Sequence, residues 1–176
     1  MGSATIRRPS EKEYAAYYAG YVALVPDGDF LMLLEQQGKD TQNLLRPVSE
    51  EQSQYRYAAD KWSIREVVGH VADSERVFTY RALRFARGDA TPLPGYDEKS
   101  WGKVSSAHGR TLASLLDDLV TLRAATLSLF RGFTDGEFAR SGVANNAPAT
   151  VRALTYIVAG HERHHVNVLM ERYLSR

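Results

Sequence analysis

Three histidines carry the chemistry for which this sequence can be read. His161 and His165 stand four apart in the segment His161-Glu162-Arg163-His164-His165. Residues at that spacing on a helix are neighbours, about 5–6 Å between Cβ atoms, and two such imidazoles can meet on one cation at about 2.0–2.1 Å from each nitrogen. They continue an apolar stripe of Leu154, Ile157, Val158, Val168 and Leu169, so they occupy inward positions where a bundle ordinarily takes leucine. Burying two imidazoles without partners is costly, and a shared ion removes that cost. His70 sits beside Val71 and three after Val67, at the edge of another helical stripe, and offers a third nitrogen to the same interior. Three protein nitrogens leave a position open for water or substrate, which marks a catalytic rather than a closed structural site.

The remaining polar residues are read more plainly. His108 falls in a loop and is expected to be solvated or hydrogen-bonded, and His164, three residues from His161, could chelate but lies off the His161–His165 line. His161-Glu162-x-x-His165 matches the H-E-x-x-H signature of zinc proteases, in which Glu162 would be the general base. The longer form of that signature fails, with Val168 and Glu171 where Gly and His would stand, and Glu162 points about 100° around the helix from His161. The match is read as coincidental. Glu75 falls on the inward stripe between Val71 and Phe78 and needs a partner: an ion pair with an arginine such as Arg81, or a ligand histidine to orient. Tyr96, Asp97 and Trp101 are candidates for a pocket mouth or for ordinary loop packing.

Composition narrows the classes of function. With no cysteine among 176 residues, disulfides, thiolate metal sites and cysteine nucleophiles are excluded, and any thiol in the reaction must come from outside. Lys plus Arg is 22 against 21 Asp plus Glu, which gives no field for nucleic acid or an anionic membrane, although Arg81, Arg84 and Arg87 cluster locally. There is no apolar run of membrane-spanning length and no apolar signal core, so a cytoplasmic location is expected.

The elements that must position the histidines read as helices throughout, with no convincing alternating strand pattern. A Ser10/Glu13 capping box predicts a first helix from near Glu11 that carries Tyr14, Tyr17, Tyr18, Tyr21 and Val22 and stops before Pro26. A second helix is expected over about 28–46, weakened by Gly38. Ser63 and Glu66 form the best-marked start, opening a helix with Ile64, Val67, Val68, Val71, Phe78, Ala82 and Phe85 inward. Residues 88–110 read as a long irregular connection, of a kind that often covers a functional site. Thr111 caps a leucine-rich helix, Thr134 and Glu137 a short turn, a polar loop follows, and Thr150 opens the histidine helix. The expectation is all-α: a four-helix bundle over 28–176 with an additional N-terminal helix over 1–27 packed on it.

The stretches KWSIREVVGHVADSERVFTYRALRFARGD, TPLPGYD and AGHERHHVNVL resemble the DinB-like superfamily, most closely its metal-dependent hydrolase and bacillithiol S-transferase branch. The resemblance extends over nearly the whole chain. It implies a four-helix bundle, often a homodimer, with nickel or zinc on three histidines that match His70, His161 and His165, leaving His164 outside. Members of the superfamily include S-transferases using low-molecular-weight thiols and a mycothiol-dependent isomerase, so the family carries over a site more securely than a reaction. The leading expectation is a small-molecule enzyme in which a divalent metal activates a water or an external thiol. The alternative is a non-catalytic metal- or ligand-binding bundle, and a helical nucleic-acid binder has little support.

Overall fold

A computed structural model describes residues 6–175. Four long helices form the bundle: α2 (Phe30–Leu45), α3 (Ile64–Ala86), α5 (Leu112–Arg131) and α7 (Val151–Leu169), with α3 and α7 in the most extensive contact. Three shorter helices accompany them: α1 (Ala19–Leu24) against α7, α4 (Glu98–Val104) between α3 and α5 in the chain, and α6 (Asp135–Ala139). None of the helices among the described residues is long and apolar enough to cross a membrane.

The helix starts are set by local chemistry. Ser63 Oγ accepts from the Glu66 amide while the Glu66 carboxylate accepts from the Ser63 amide, closing the capping box at the head of α3. Thr111 and Thr150 cap α5 and α7 by accepting from Ser114 N and Ala153 N. At its other end α3 stops at Gly88, whose φ of 76° lets its amide return to the Phe85 carbonyl.

Three expectations are corrected. The first helix is broken: its capping box forms, but only a 3₁₀ turn follows (Glu11–Glu13), Tyr14 is extended, and regular helix begins at Ala19. Glu13 is the reason visible in the contacts, because its second carboxylate oxygen is taken by Thr150 and Arg152 at the head of α7. The connection over 88–110 is not irregular throughout, since Asp97 caps α4 and Ser105 caps a 3₁₀ turn over Ser106–Gly109. The polar loop after α6 is an antiparallel hairpin, β1 (Ser141–Ala144) paired with β2 (Ala147–Thr150), turning on Asn145 and Asn146 at φ 52° and 59°.

The interior is layered. One apolar cluster gathers Phe30, Leu34, Phe78, Phe85, Phe130 and Ile157, and another gathers Leu45, Ile64, Val67, Leu112, Leu115 and Leu169. On each long helix the two clusters are separated by polar residues: Gln37 and Thr41 on α2, Glu75 on α3, Arg123 on α5, and His161 with Glu162 on α7. The functional candidates lie in this middle layer.

Candidate metal centre

His161 and Glu162 are consecutive, so they project about 100° apart around α7 and divide the polar layer into two sites. Glu162 turns into the core. Its carboxylate accepts from Thr41 Oγ1 at 2.7 Å, from Arg123 Nη2 at 2.7 Å, and from Gln37. Arg123 also grips Glu75 with two bonds, at 3.1 and 2.8 Å, and donates to the Leu34 carbonyl. Gly38 makes room for it, because a Cβ there would stand 3.2 Å from an Arg123 nitrogen. The two carboxylates push the guanidinium pKa up further, against the effect of burial. Glu75 therefore pairs with Arg123 and not with Arg81. Glu162 is not among the residues that line the cavity described next, so it offers no base there.

His161 turns the other way, into a cavity of about 910 Å³ walled by residues of α1, α3, α4 and α7. Its Nε2 stands 3.1 Å from Nε2 of His70 and 3.2 Å from Nε2 of His165. One ligand nitrogen from each of the three rings falls within 4.8 Å of the others. Two nitrogens bound to one ion at 2.0–2.1 Å and at the tetrahedral angle stand roughly 3.3 Å apart, so the rings fit a shared cation as they are placed. A single Nε2 proton cannot satisfy three converging nitrogens, because each neutral imidazole has one donor and one acceptor.

The cluster is electrostatically ready for a cation. Burial drives the pKa of His70 down to about 4 and of His165 to about 3, with neighbouring imidazoles adding to the fall. His161, the most buried, lies well below its ordinary value for the same reasons. At neutral pH all three are uncharged, the state in which imidazole is a ligand.

Packing holds the rings in place. Trp62 lies against His70 with ring centroids 4.6 Å apart, and Tyr21 meets His161 edge-on at 5.4 Å. The close approach of α1 that brings Tyr21 there depends on Gly160, where any Cβ would overlap the Tyr21 carbonyl. Gly102 of α4 serves Trp62 in the same way, its would-be Cβ lying 2.8 Å from the indole nitrogen.

The other sequence candidates separate. His164 is exposed, contributes no atom to the cluster and packs on Tyr21 and His165. His108 is exposed, with a ring nitrogen 2.8 Å from the Ser105 carbonyl oxygen. Tyr96 lines the cavity and shares a 2.8 Å hydrogen bond with Ser74; Asp97 caps α4; Trp101 packs at a tilt against Tyr96 outside the lining. Sequence reasoning overlooked Glu98. The acids lining the cavity are Asp60, Glu66 and Glu98; the first two are held by Lys61 and Arg56, and Glu98 forms no ion pair among the described residues. The start of a short helix just after Tyr96-Asp97 is a signal that could have found it.

The comparisons with known proteins agree with this architecture. The profile of the DinB superfamily matches residues 33–169. YfiT of Bacillus subtilis, provisionally named a metal-dependent hydrolase, is 26% identical over 153 residues, 84% of this chain and 83% of that protein. Two similarly named proteins, from Oceanobacillus iheyensis and Geobacillus kaustophilus, are each 26% identical, over 68% and 72% of this chain and 69% and 72% of their own lengths. The solved structure of YfiT, described as an unusual four-helix bundle, matches with a TM-score of 0.73 at 22% identity, covering 83% of this chain and 85% of that one.

Proposed function

The chain belongs to the DinB superfamily, and on that premise we propose that it is a metal-dependent hydrolase of small molecules whose ion is held by His70, His161 and His165. The observation that carries this reading is the convergence of three neutral Nε2 atoms at 3.1 and 3.2 Å on the wall of a large cavity. A divalent cation with three imidazole ligands supplies Lewis acidity toward a water, a thiol or a substrate oxygen at its open position. The protein's own residues do the rest: Trp62, Tyr21 and Phe78 hold the rings and exclude bulk water around them. Glu98 is the cavity's unpaired carboxylate and the group available to take up a proton.

Nickel and zinc both suit three imidazoles. A second reading, S-transfer from an external low-molecular-weight thiol, is favoured by the size of the cavity, which at about 910 Å³ lies at the large end for a single small ligand. The same reading takes the protein to be a cytoplasmic homodimer that acts on a small molecule and binds neither nucleic acid nor membrane; sedimentation velocity tests the dimer.

The deciding experiment is metal analysis of the protein after incubation with zinc or nickel, beside His70→Ala and His165→Ala. One equivalent in the parent and none in either variant, with circular dichroism unchanged, is the expected result. Metal retained by both variants, or none taken up by the parent, refutes the site.

A further inference from the structure

The cavity contains a second charged group that the histidines leave unused. Arg81 lies eleven residues after His70, three turns along the same face of α3 and about 16 Å further along its axis, and lines the same cavity. It is only 3% exposed. A buried guanidinium ordinarily faces a carboxylate, as Arg123 does here. Arg81 faces none. It donates to the Pro94 carbonyl oxygen at 2.8 Å and interacts with the Tyr18 hydroxyl, and its charge otherwise lies against the rings of Phe78 and Tyr96, each 5.9 Å from its central carbon.

None of the acids that line the cavity forms an ion pair with Arg81. Glu75 belongs to Arg123, Glu66 to Arg56 and Asp60 to Lys61, while Glu98 stands outside ion-pair distance. The Tyr18 and Tyr96 phenols titrate above their ordinary value because they are buried, so neither is an anion at neutral pH. Aromatic faces return part of what desolvation costs a guanidinium, but they do not replace a counter-charge. A planar guanidinium held among rings and a backbone carbonyl, and not against a carboxylate, is matched in shape and charge by a planar anion.

We infer that the substrate is an elongated organic carboxylate, its acid end held by Arg81, its apolar body lying along Phe78 and Tyr18, and its reactive end at the three histidines. The inference rests on the reading of the cavity as catalytic. A monoanion is favoured over a phosphate because one guanidinium balances one charge, and the groups placed against Arg81, which are Pro94, Phe78, Tyr96 and Tyr18, bring no second positive charge to that end. Phe78 lies between the two ends, against Arg81 on one side and His161 at 5.9 Å on the other, and supplies the apolar floor.

The test is a binding comparison between 6-phenylhexanoate and its neutral primary amide, by calorimetry, on the protein treated with EDTA and again after loading with zinc. The parent is expected to prefer the carboxylate at least tenfold in both states. His165→Ala should keep that preference, and Arg81→Met should abolish it. Arg81→Met should also melt no lower than the parent, since it removes a buried charge without breaking an ion pair. If Arg81→Met fails to fold, the Arg81 side-chain NH signal of the parent decides: it should shift with the carboxylate and not with the amide. Equal binding of acid and amide, or a preference that survives Arg81→Met, overturns the inference. Because the preference is read without metal, loss of the metal site and loss of the anion site are separate results.

Discussion

Three neutral imidazoles packed against each other make the metal-free protein sensitive to mild acid, and the size of the effect can be worked out. In an unfolded chain a histidine titrates near 6.5; in the fold His70 titrates at about 4 and His165 at about 3, with His161 well below its ordinary value. A depressed folded pKa means that the unfolded state binds more protons between the two values, so stability is fully present above pH 6.5 and falls as the pH drops below it. At pH 5 His70 and His165 each cost about 2 kcal/mol, set almost wholly by the unfolded pKa, since 1.5 pH units at 1.36 kcal/mol each give that figure whenever the folded pKa lies at or below about 4. Those two amount to about 4 kcal/mol, and His161 adds to the loss in the same direction, against a whole stability of ~5–15 kcal/mol for an ordinary domain.

Urea titrations of EDTA-treated protein at pH 7, 6 and 5 should therefore show losses, relative to pH 7, of at least roughly 1.5 kcal/mol by pH 6 and 4 kcal/mol by pH 5. His161→Leu should make the pH dependence shallower. Bound zinc should move the acid transition downward, because an ion at a hundred times its dissociation constant adds about 2.7 kcal/mol to the folded state. A stability that is flat between pH 7 and pH 5, or a slope unchanged in His161→Leu, would show that the rings are not buried and neutral as described.

Two further outcomes follow from the polar layer and its packing. Arg123→Met should cost about 3–5 kcal/mol by stranding two buried carboxylates, seen as a fall of roughly 6–20 °C in Tm, and adding Glu75→Leu and Glu162→Leu should recover most of it. Gly160→Ala should force α1 away from α7 at Tyr21, with a net loss of about 2 kcal/mol in spite of alanine's better helix propensity; a Tm equal to the parent's would refute the close approach.

What the sequence disclosed depended on whether the deciding interaction was local. The capping boxes at Ser63/Glu66 and Thr134/Glu137, and the threonine caps at Thr111 and Thr150, are contacts within three residues, and each forms as read. His70, His161 and His165 were legible because they interrupt apolar stripes, and the structure brings the three together. Arg123 interrupts a stripe in the same way, four after Leu119 and four before Leu127, and was overlooked among leucines. Glu75 was placed inward correctly, but its partner lies 48 residues away on another helix, and sequence neighbourhood favoured Arg81 instead. The broken first helix has a cause of similar range, since Glu13 is drawn to Thr150 and Arg152 across 137 and 139 residues. The hairpin was missed for the opposite reason: its strands of four residues are too short for alternation to register, and only Asn145-Asn146 marked the turn.

The buried ion cluster and the histidine cluster share a boundary, and the charge of one should be felt by the other. Arg123 faces two carboxylates, so the cluster carries one negative charge in excess, centred one residue along α7 from His161. At a separation on the order of 10 Å and an effective dielectric of about 20, that charge favours a divalent ion by about 3 kcal/mol, the product of one and two unit charges in Coulomb's law. Glu162→Gln removes the excess yet keeps an oxygen for Arg123 and Gln37, with the amide turned to Thr41. Its expected effect is a fall in zinc affinity of roughly a hundredfold at full strength, less with partial screening, at unchanged one-to-one stoichiometry, since 1.4 kcal/mol is a factor of ten. The H-E-x-x-H reading makes the contrary forecast: a general base at Glu162 would leave affinity intact and abolish turnover alone. Zinc affinity equal to the parent's in a folded Glu162→Gln protein would show that the two clusters are electrostatically independent.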